Sequence, residues 1–168
     1  MARVYVSIGS NIEPLRYIRA GLAQMQQHFG TLTLSSVYES EAVGFEGDRF
    51  YNLVAGFDTD MEIHAVARTL RMIENQNDRK RTDNRFSDRT LDLDMVLYDD
   101  LIVKDEEVEL PRDEINQYAF VLLPLAEIAP NVKHPVTGQR LSELAQTFDK
   151  DSLRLLESKA LALDSLWT

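Results

Sequence analysis

The chain has no cysteine. That excludes disulfides, thiolate metal sites and a cysteine nucleophile. Glycine is sparse, at positions 9, 21, 30, 44, 47, 56 and 138, and none of these falls in the GxxxxGK spacing of a phosphate-cradling loop. A kinase of Walker type is therefore excluded. His28, His64 and His134 are too far apart for His-x-His or HExxH metal spacing. Long hydrophobic runs are also missing. The longest near-apolar stretch, Ala119–Ala126, is interrupted by Pro124 and is far shorter than the ~18 residues of a membrane span. The apolar stretch in Met1–Val6 is too short for a signal peptide. Positive charge is scarce, with 18 Lys and Arg against 28 Asp and Glu, a net charge of −10. Nucleic acids and anionic membranes need a basic surface, so neither is expected as a partner. These absences point to a cytoplasmic protein.

What is present is enough apolar residue, 44%, to build a core. The 168 residues suit one domain spanning 1–168, with no internal repeat or flexible linker. Val4, Val6 and Ile8 alternate with polar neighbours and predict a strand over 3–8, which Gly9-Ser10-Asn11 then breaks. Pro14 opens a helix whose stripe is Leu15, Ile18, Leu22, Met25 and Phe29, and Gly30 stops it. A second strand is expected over 32–38, a loop over 39–49 and a third strand over 50–57. Thr59-Asp60-Met61-Glu62 fits a capping box ahead of a helix striped by Ile63, Val66, Ala67, Leu70 and Ile73. A polar loop over 75–89 leads to a fourth strand over 91–98. A small hairpin (101–103 with 108–110), short helices near 113–117 and 142–147, and an amphipathic segment over 151–163 complete the reading. The order βαβ-βαβ fits a ferredoxin-like α+β sandwich: a mixed or antiparallel sheet with helices packed on it, plus the hairpin and C-terminal helices.

The most informative stretch is Arg89-Thr90-Leu91-Asp92-Leu93-Asp94-Met95-Val96-Leu97-Tyr98. In a strand, residues 91, 93, 95 and 97 face one side, and Asp92 and Asp94 face the other, with Cα atoms roughly 7 Å apart. Two carboxylates so placed can converge on a hard cation such as Mg²⁺ that also contacts phosphates. An ordinary amphipathic strand with two solvated aspartates shows the same alternation, although Asp is disfavoured in strands. The preceding loop weighs toward phosphate chemistry. Residues 79–89 carry Arg79, Lys80, Arg81, Arg85 and Arg89 against Asp83 and Asp88, a local excess of positive charge in an acidic chain. Arginines bind phosphate oxygens in pairs and stabilise charge in phosphoryl transfer.

With its basic loop, this stretch resembles the 6-hydroxymethyl-7,8-dihydropterin pyrophosphokinase family. The resemblance extends to Ser7-Ile8-Gly9-Ser10-Asn11, Phe50-Tyr51-Asn52, Glu74, Arg79, Leu110-Pro111 and the run from Phe120 to Pro130. It implies a ferredoxin-like fold and transfer of pyrophosphate from ATP, the co-substrate, to the hydroxymethyl group of a reduced pterin, releasing AMP. It further implies that Asp92 and Asp94 bind two Mg²⁺ ions and that Arg79 and Arg89 hold the transferring group. Ser40, Val43, Phe50, Asn52 and Phe120 would bind the pterin, the two Phe rings by stacking. Glu74, Arg81, Phe86, Met95 and Arg112 would line the nucleotide site. Partners would then be the two small-molecule substrates.

The sequence departs from the family pattern on the nucleotide side. Ser87-Asp88 stand where Gly or Ala followed by Pro is usual, Arg112 where His is usual, and Tyr118 where a basic residue is usual. Thr82 replaces a frequent Lys, and Glu107 and Glu109 replace basic or hydroxyl residues. The expectation is an active enzyme with weakened ATP binding. The alternative is a divergent paralogue acting as a non-catalytic module that binds a pterin or a protein. RNA recognition on such a sheet needs surface aromatics and a basic face that the chain lacks.

Overall fold

Alternation of Val4, Val6 and Ile8 with polar neighbours produces the central strand of the sheet, β1 (Ala2–Ser10). The strand continues through Gly9 and Ser10, beyond the break expected there. In the computed structural model the described residues are 1–42, 47–79 and 88–148, with the backbone of 154–156. The helix α1 (Pro14–Phe29) begins at its proline and ends where Gly30 adopts φ 83°, a left-handed value that glycine accepts without strain. The second expected strand is two pieces, β2 (Thr33–Leu34) and β3 (Val37–Ser40). Ser35 interrupts it: its N–H donates to the Val54 carbonyl at 2.9 Å and its hydroxyl accepts from Val54 N at 2.8 Å. Then come β4 (Phe50–Thr59), α2 (Ile63–Gln76) and β5 (Asp92–Tyr98).

The expected capping box does not form. Glu62 is itself the N-cap of α2 and accepts from His64 N and Ala65 N, while Thr59 Oγ1 accepts from Met61 N. The hairpin is present as β6 (Val103–Lys104) and β7 (Glu109–Leu110). The short helices are α3 (Glu114–Gln117) and α5 (Leu141–Ala145). Between them lies a helix that no period announced, α4 (Ala119–Ile128), with Pro124 inside it. Within the amphipathic segment expected over 151–163, the described residues form a strand, β8 (Arg154–Leu156).

Among the described residues the main sheet runs β5-β1-β4-β3-β8, with β2 also on β4, and every pairing is antiparallel. Its first four positions follow the ferredoxin-like order, so the α+β sandwich expected from the sequence is the observed fold. One face carries Val6, Ile8, Leu53, Phe57 and Leu93 against α1 and α2. Phe29 of α1 stacks on Phe57 at 4.2 Å, a contact adding about 1 kcal/mol beyond burial. The other face divides along the strands. Tyr5, Val54 and Leu97 are covered by α4 and α5, whereas Ser7, Gly9, Asn52, Asp92 and Asp94 lie beyond the start of α4.

The register explains one departure from the expected alternation. Tyr5 pairs with Leu97 but Val6 pairs with Met95, so Val96 is an extra residue in β5. This bulge turns Leu97 onto the α4 side instead of the face of Leu93 and Met95. Asp92 and Asp94 precede the bulge and keep the polar face. No described helix is long and apolar enough to cross a membrane.

His64 fastens α2 to the hairpin. Its Nδ1 lies 2.8 Å from Glu62 Oε1 and its Nε2 lies 2.7 Å from Asp105 Oδ2. Both contacts need N–H donors, so hydrogen bonds to Glu62 and then Asp105 raise the imidazole pKa. The folded value lies above the unfolded one of about 6.5, so this contribution is full below that pH and is lost as pH rises through the folded pKa. The His64→Gln variant is expected to melt at a lower temperature than wild type near pH 6. The gap should close as pH rises past the His64 pKa measured by NMR; a gap that widens with pH contradicts the assignment.

Candidate active site

The open half of the second sheet face is the floor of a cavity of about 310 Å³. Cross-strand pairing assembles that floor. Gly9 sits opposite Asp92 on one side and Asn52 on the other, and Ser7 sits opposite Asp94. A methyl group at Gly9 would stand 3.3 Å from Asn52 Oδ1, so glycine keeps the floor clear between the amide and the carboxylates. The walls are the end of α2, the hairpin, Arg112 and the start of α4. Arg79, Arg89, Asp92, Asp94, Ser40, Phe50, Asn52, Phe120, Glu74, Met95 and Arg112 all line this one cavity. Val43, Arg81 and Phe86, named with them from the sequence, lie outside the described residues, as do Thr82 and Ser87.

Charge is concentrated around the two aspartates. Arg79 Nη2 lies 3.8 Å from Asp92 Oδ1, and Arg89 Nη1 lies 3.9 Å from Asp92 Oδ2. Both guanidinium groups are mostly enclosed, at 8% and 11% side-chain exposure, so their charges act through little intervening water. Asp94 is held by removal from bulk water, and then by the neighbouring Asp92 charge, well above the usual carboxylate range, with Arg112 opposing the shift. Two carboxylates in this state favour a cation between them. Among the described residues no three His, Asp or Glu side chains form a complete metal cage. That donor set fits Mg²⁺, which uses one or two carboxylates together with substrate phosphates. The described lining carries seven carboxylates against four arginines. A bare triphosphate would be repelled by that balance, whereas one accompanied by divalent cations is not.

Several lining residues have fixed local partners. Glu74 is buried, and its Oε2 accepts from Leu93 N at 2.9 Å, which satisfies a backbone donor on the outer edge of β5. Asn52 Nδ2 donates to Ser40 Oγ at 2.7 Å, so the amide is held at a set angle on the floor. Arg112 donates to both carboxylate oxygens of Glu114, at 3.2 and 2.9 Å, and its backbone N–H donates to Val96 O at the bulge. Met95 belongs mainly to the α2-side core and reaches the cavity only at the strand edge.

Sequence reasoning did not single out Glu114 or Ser7 for the site, and it noted Tyr118 only as a missing cation. Tyr118 stacks on Phe120 at 4.9 Å with the rings 15° apart, so it braces the ring at the cavity mouth. The spacing of Glu114 two residues after Arg112 was the available signal for their pairing. Of the three acids placed on the nucleotide side from the sequence, Glu107 and Glu109 do line the cavity. Asp88 instead directs its carboxylate at Asn11 Nδ2, 2.7 Å away.

Comparison with known proteins agrees with the resemblance read from the motifs. The family model for 7,8-dihydro-6-hydroxymethylpterin-pyrophosphokinase (HPPK) matches residues 5–130. The 2-amino-4-hydroxy-6-hydroxymethyldihydropteridine pyrophosphokinase of Haemophilus influenzae is 34% identical over 152 residues, covering 88% of this chain and 94% of that protein. The protein of the same name from Pseudomonas aeruginosa is 36% identical over 146 residues, covering 84% and 89%. A solved structure of wild-type Plasmodium falciparum HPPK-DHPS with pterin and p-hydroxybenzoate shares the fold, with a TM-score of 0.70 at 13% identity. That likeness covers 87% of this chain and 43% of the other.

The Glu74 bond to β5 gives a direct test of how the strand edge is held. Glu74→Ala leaves Leu93 N buried without its acceptor and is expected to cost about 1–3 kcal/mol. Glu74→Gln keeps an acceptor oxygen and should cost less. Urea unfolding of both variants checks this, and equal losses would mean that the bond is not what matters.

Proposed function

The chain belongs to the 7,8-dihydro-6-hydroxymethylpterin-pyrophosphokinase family, and we propose that it transfers pyrophosphate from ATP to 6-hydroxymethyl-7,8-dihydropterin, releasing AMP, in folate synthesis. One observation supports this reading above the others. A cation-seeking carboxylate pair, two enclosed arginines and a fixed amide with nearby aromatic rings share a single cavity. A module that only bound a pterin would have no use for the arginines converging on Asp92.

In this reading the pterin edge hydrogen-bonds to Asn52, with Ser40 and the segment containing Val43 beside it. Its faces lie against Phe50 and Phe120, and Tyr118 backs the second ring. ATP occupies the side bounded by Glu74, Met95 and Arg112, with Arg81 and Phe86 assigned there from the sequence. Asp92 and Asp94 would hold two Mg²⁺ ions, which when bound screen the phosphate charge and make the phosphorus more electrophilic. Arg79 and Arg89 flank the transferring group and stabilise the charge that builds on it. The hydroxymethyl oxygen bonds to the β-phosphorus as the bridge between the α- and β-phosphates breaks. The bridging oxygen leaves with AMP, and the hydroxyl proton is released. Positioning carries the rate, and no covalent enzyme intermediate is needed. The single domain expected over 1–168 is supported by β8, which joins the same sheet that holds the site. The cytoplasm is the compartment proposed for this reaction.

The defining assay measures AMP formed from MgATP with and without reduced hydroxymethylpterin. AMP release that requires the pterin is the expected result, and release indifferent to it would sink the reading. Asp94→Asn is expected to lower kcat/KM by about 100-fold or more, the scale for removing one charge-stabilising group. Glu109→Gln is expected to lower KM for MgATP about two- to five-fold, since a half-exposed charge contributes ~0.3–1 kcal/mol. An unchanged KM would mean that Glu109 does not face the nucleotide.

A further inference from the structure

Arg89 is held by its backbone as well as reaching the site with its side chain. Its N–H donates to Asn11 Oδ1 at 2.7 Å. Its carbonyl accepts from Asn11 N at 3.0 Å and Ile12 N at 3.2 Å. The peptide groups on either side of the Arg89 Cα are therefore pinned to the turn between β1 and α1. The pin depends on which way the Asn11 amide faces, because its oxygen must point at Arg89 and its nitrogen away. Asn11 is buried, and two acceptors fix that orientation. Asn11 Nδ2 donates to Asp88 Oδ1 at 2.7 Å and to the Asp48 carbonyl at 3.1 Å. The first is short and ends on a carboxylate, so it is the stronger of the two.

We propose that Asp88 is a positioning residue for the transfer reaction: acting through the Asn11 amide, it fixes the backbone of Arg89 and so the place of its guanidinium beside Asp92. The inference rests on the pyrophosphokinase reading for its kinetic consequence, though the clasp stands on the hydrogen bonds themselves. Residues 88 and 89 grip one amide from both ends, so a small rotation of that amide displaces the arginine. Misplacement of a reacting group by about 1 Å can cost up to 100-fold in rate. The same clasp accounts for an acidic residue at the rim of a phosphate site. The carboxylate is directed at Asn11 and works there as a hydrogen-bond acceptor. Through the Asp48 carbonyl the clasp also reaches the segment that leads into β4, which carries Phe50 and Asn52.

The test uses the full chain with Asp88→Ala and Asp88→Asn, the second keeping an acceptor oxygen. Amide exchange followed by NMR needs no substrate. The Arg89 N–H and the Asn11 side-chain N–H groups should be protected in wild type and in Asp88→Asn, and lose protection in Asp88→Ala while the melting temperature moves little. Unchanged protection in Asp88→Ala overturns the proposal whether or not the chain is active. In the AMP-release assay Asp88→Ala should lower kcat about tenfold with KM for the pterin nearly constant, and Asp88→Asn should recover most of it. Adding Asp88→Ala to Arg89→Ala should cost nothing further, because the effect passes through Arg89. A kcat for Asp88→Ala within about twofold of an active wild type, or a fully additive double variant, overturns the positioning role. A wild type without pterin-dependent AMP release is instead the failure of the enzymatic reading.

Discussion

Leu91, Leu93 and Met95 must face the core made by α1 and α2, and a strand has only two faces. Asp92 and Asp94 are therefore driven to the opposite side, side by side, on the floor of a cavity to whose walls α4 contributes only its start. The sheet thus imposes an electrostatic strain that it does not itself relieve. Asp94 is withdrawn from bulk water next to another carboxylate, and its pKa rises for both reasons. Arg79 and Arg89 converge on Asp92 and offset part of that cost. The remainder would be offset, in the proposed reading, by a cation that arrives with the nucleotide.

The same strand is the outer edge of the sheet, and its edge is put to use. Glu74 takes the Leu93 N–H, the Val96 carbonyl accepts from Arg112, and the hairpin closes over the side of the strand. The extra residue at Val96 lets β5 serve two layers. Before it the apolar side chains pack on α2; after it Leu97 packs under α4. Structural and reactive groups therefore share one short segment, and a substitution such as Glu74→Ala acts on both.

Much of this was legible because the signals were periodic and local. The two-residue period identified β1 and the placement of Asp92 and Asp94, and the three-to-four period identified α1 and α2. What was hidden had physical reasons. The run Met95-Val96-Leu97 is apolar on both sides, so the bulge leaves no trace in the pattern. Helix α4 is apolar all round and contains Pro124, so it shows no stripe, and its burial between the sheet and α5 stabilises it instead. The amphipathic pattern over 151–163 did not fix the role of that segment, and residues 154–156 pair along the edge of β3. Of the proposed site, the aspartates and arginines were marked by type and spacing, and Asn52 by the family resemblance. The contact between Asn11 and Asp88 spans 77 residues and could be seen only once the chain was folded. It turns an apparent electrostatic fault of the sequence into a local acceptor.

In the proposed reading, the site is organised around a carboxylate pair that would hold a cation delivered with phosphate. The most direct test is anomalous scattering from crystals of the chain grown with Mn²⁺ and a non-hydrolysable ATP analogue. The account predicts Mn²⁺ bound by both Asp92 and Asp94, at about 2.0–2.2 Å from their oxygens, with the triphosphate beside Arg79 and Arg89. Metal carried on the nucleotide but standing apart from both aspartates would contradict it.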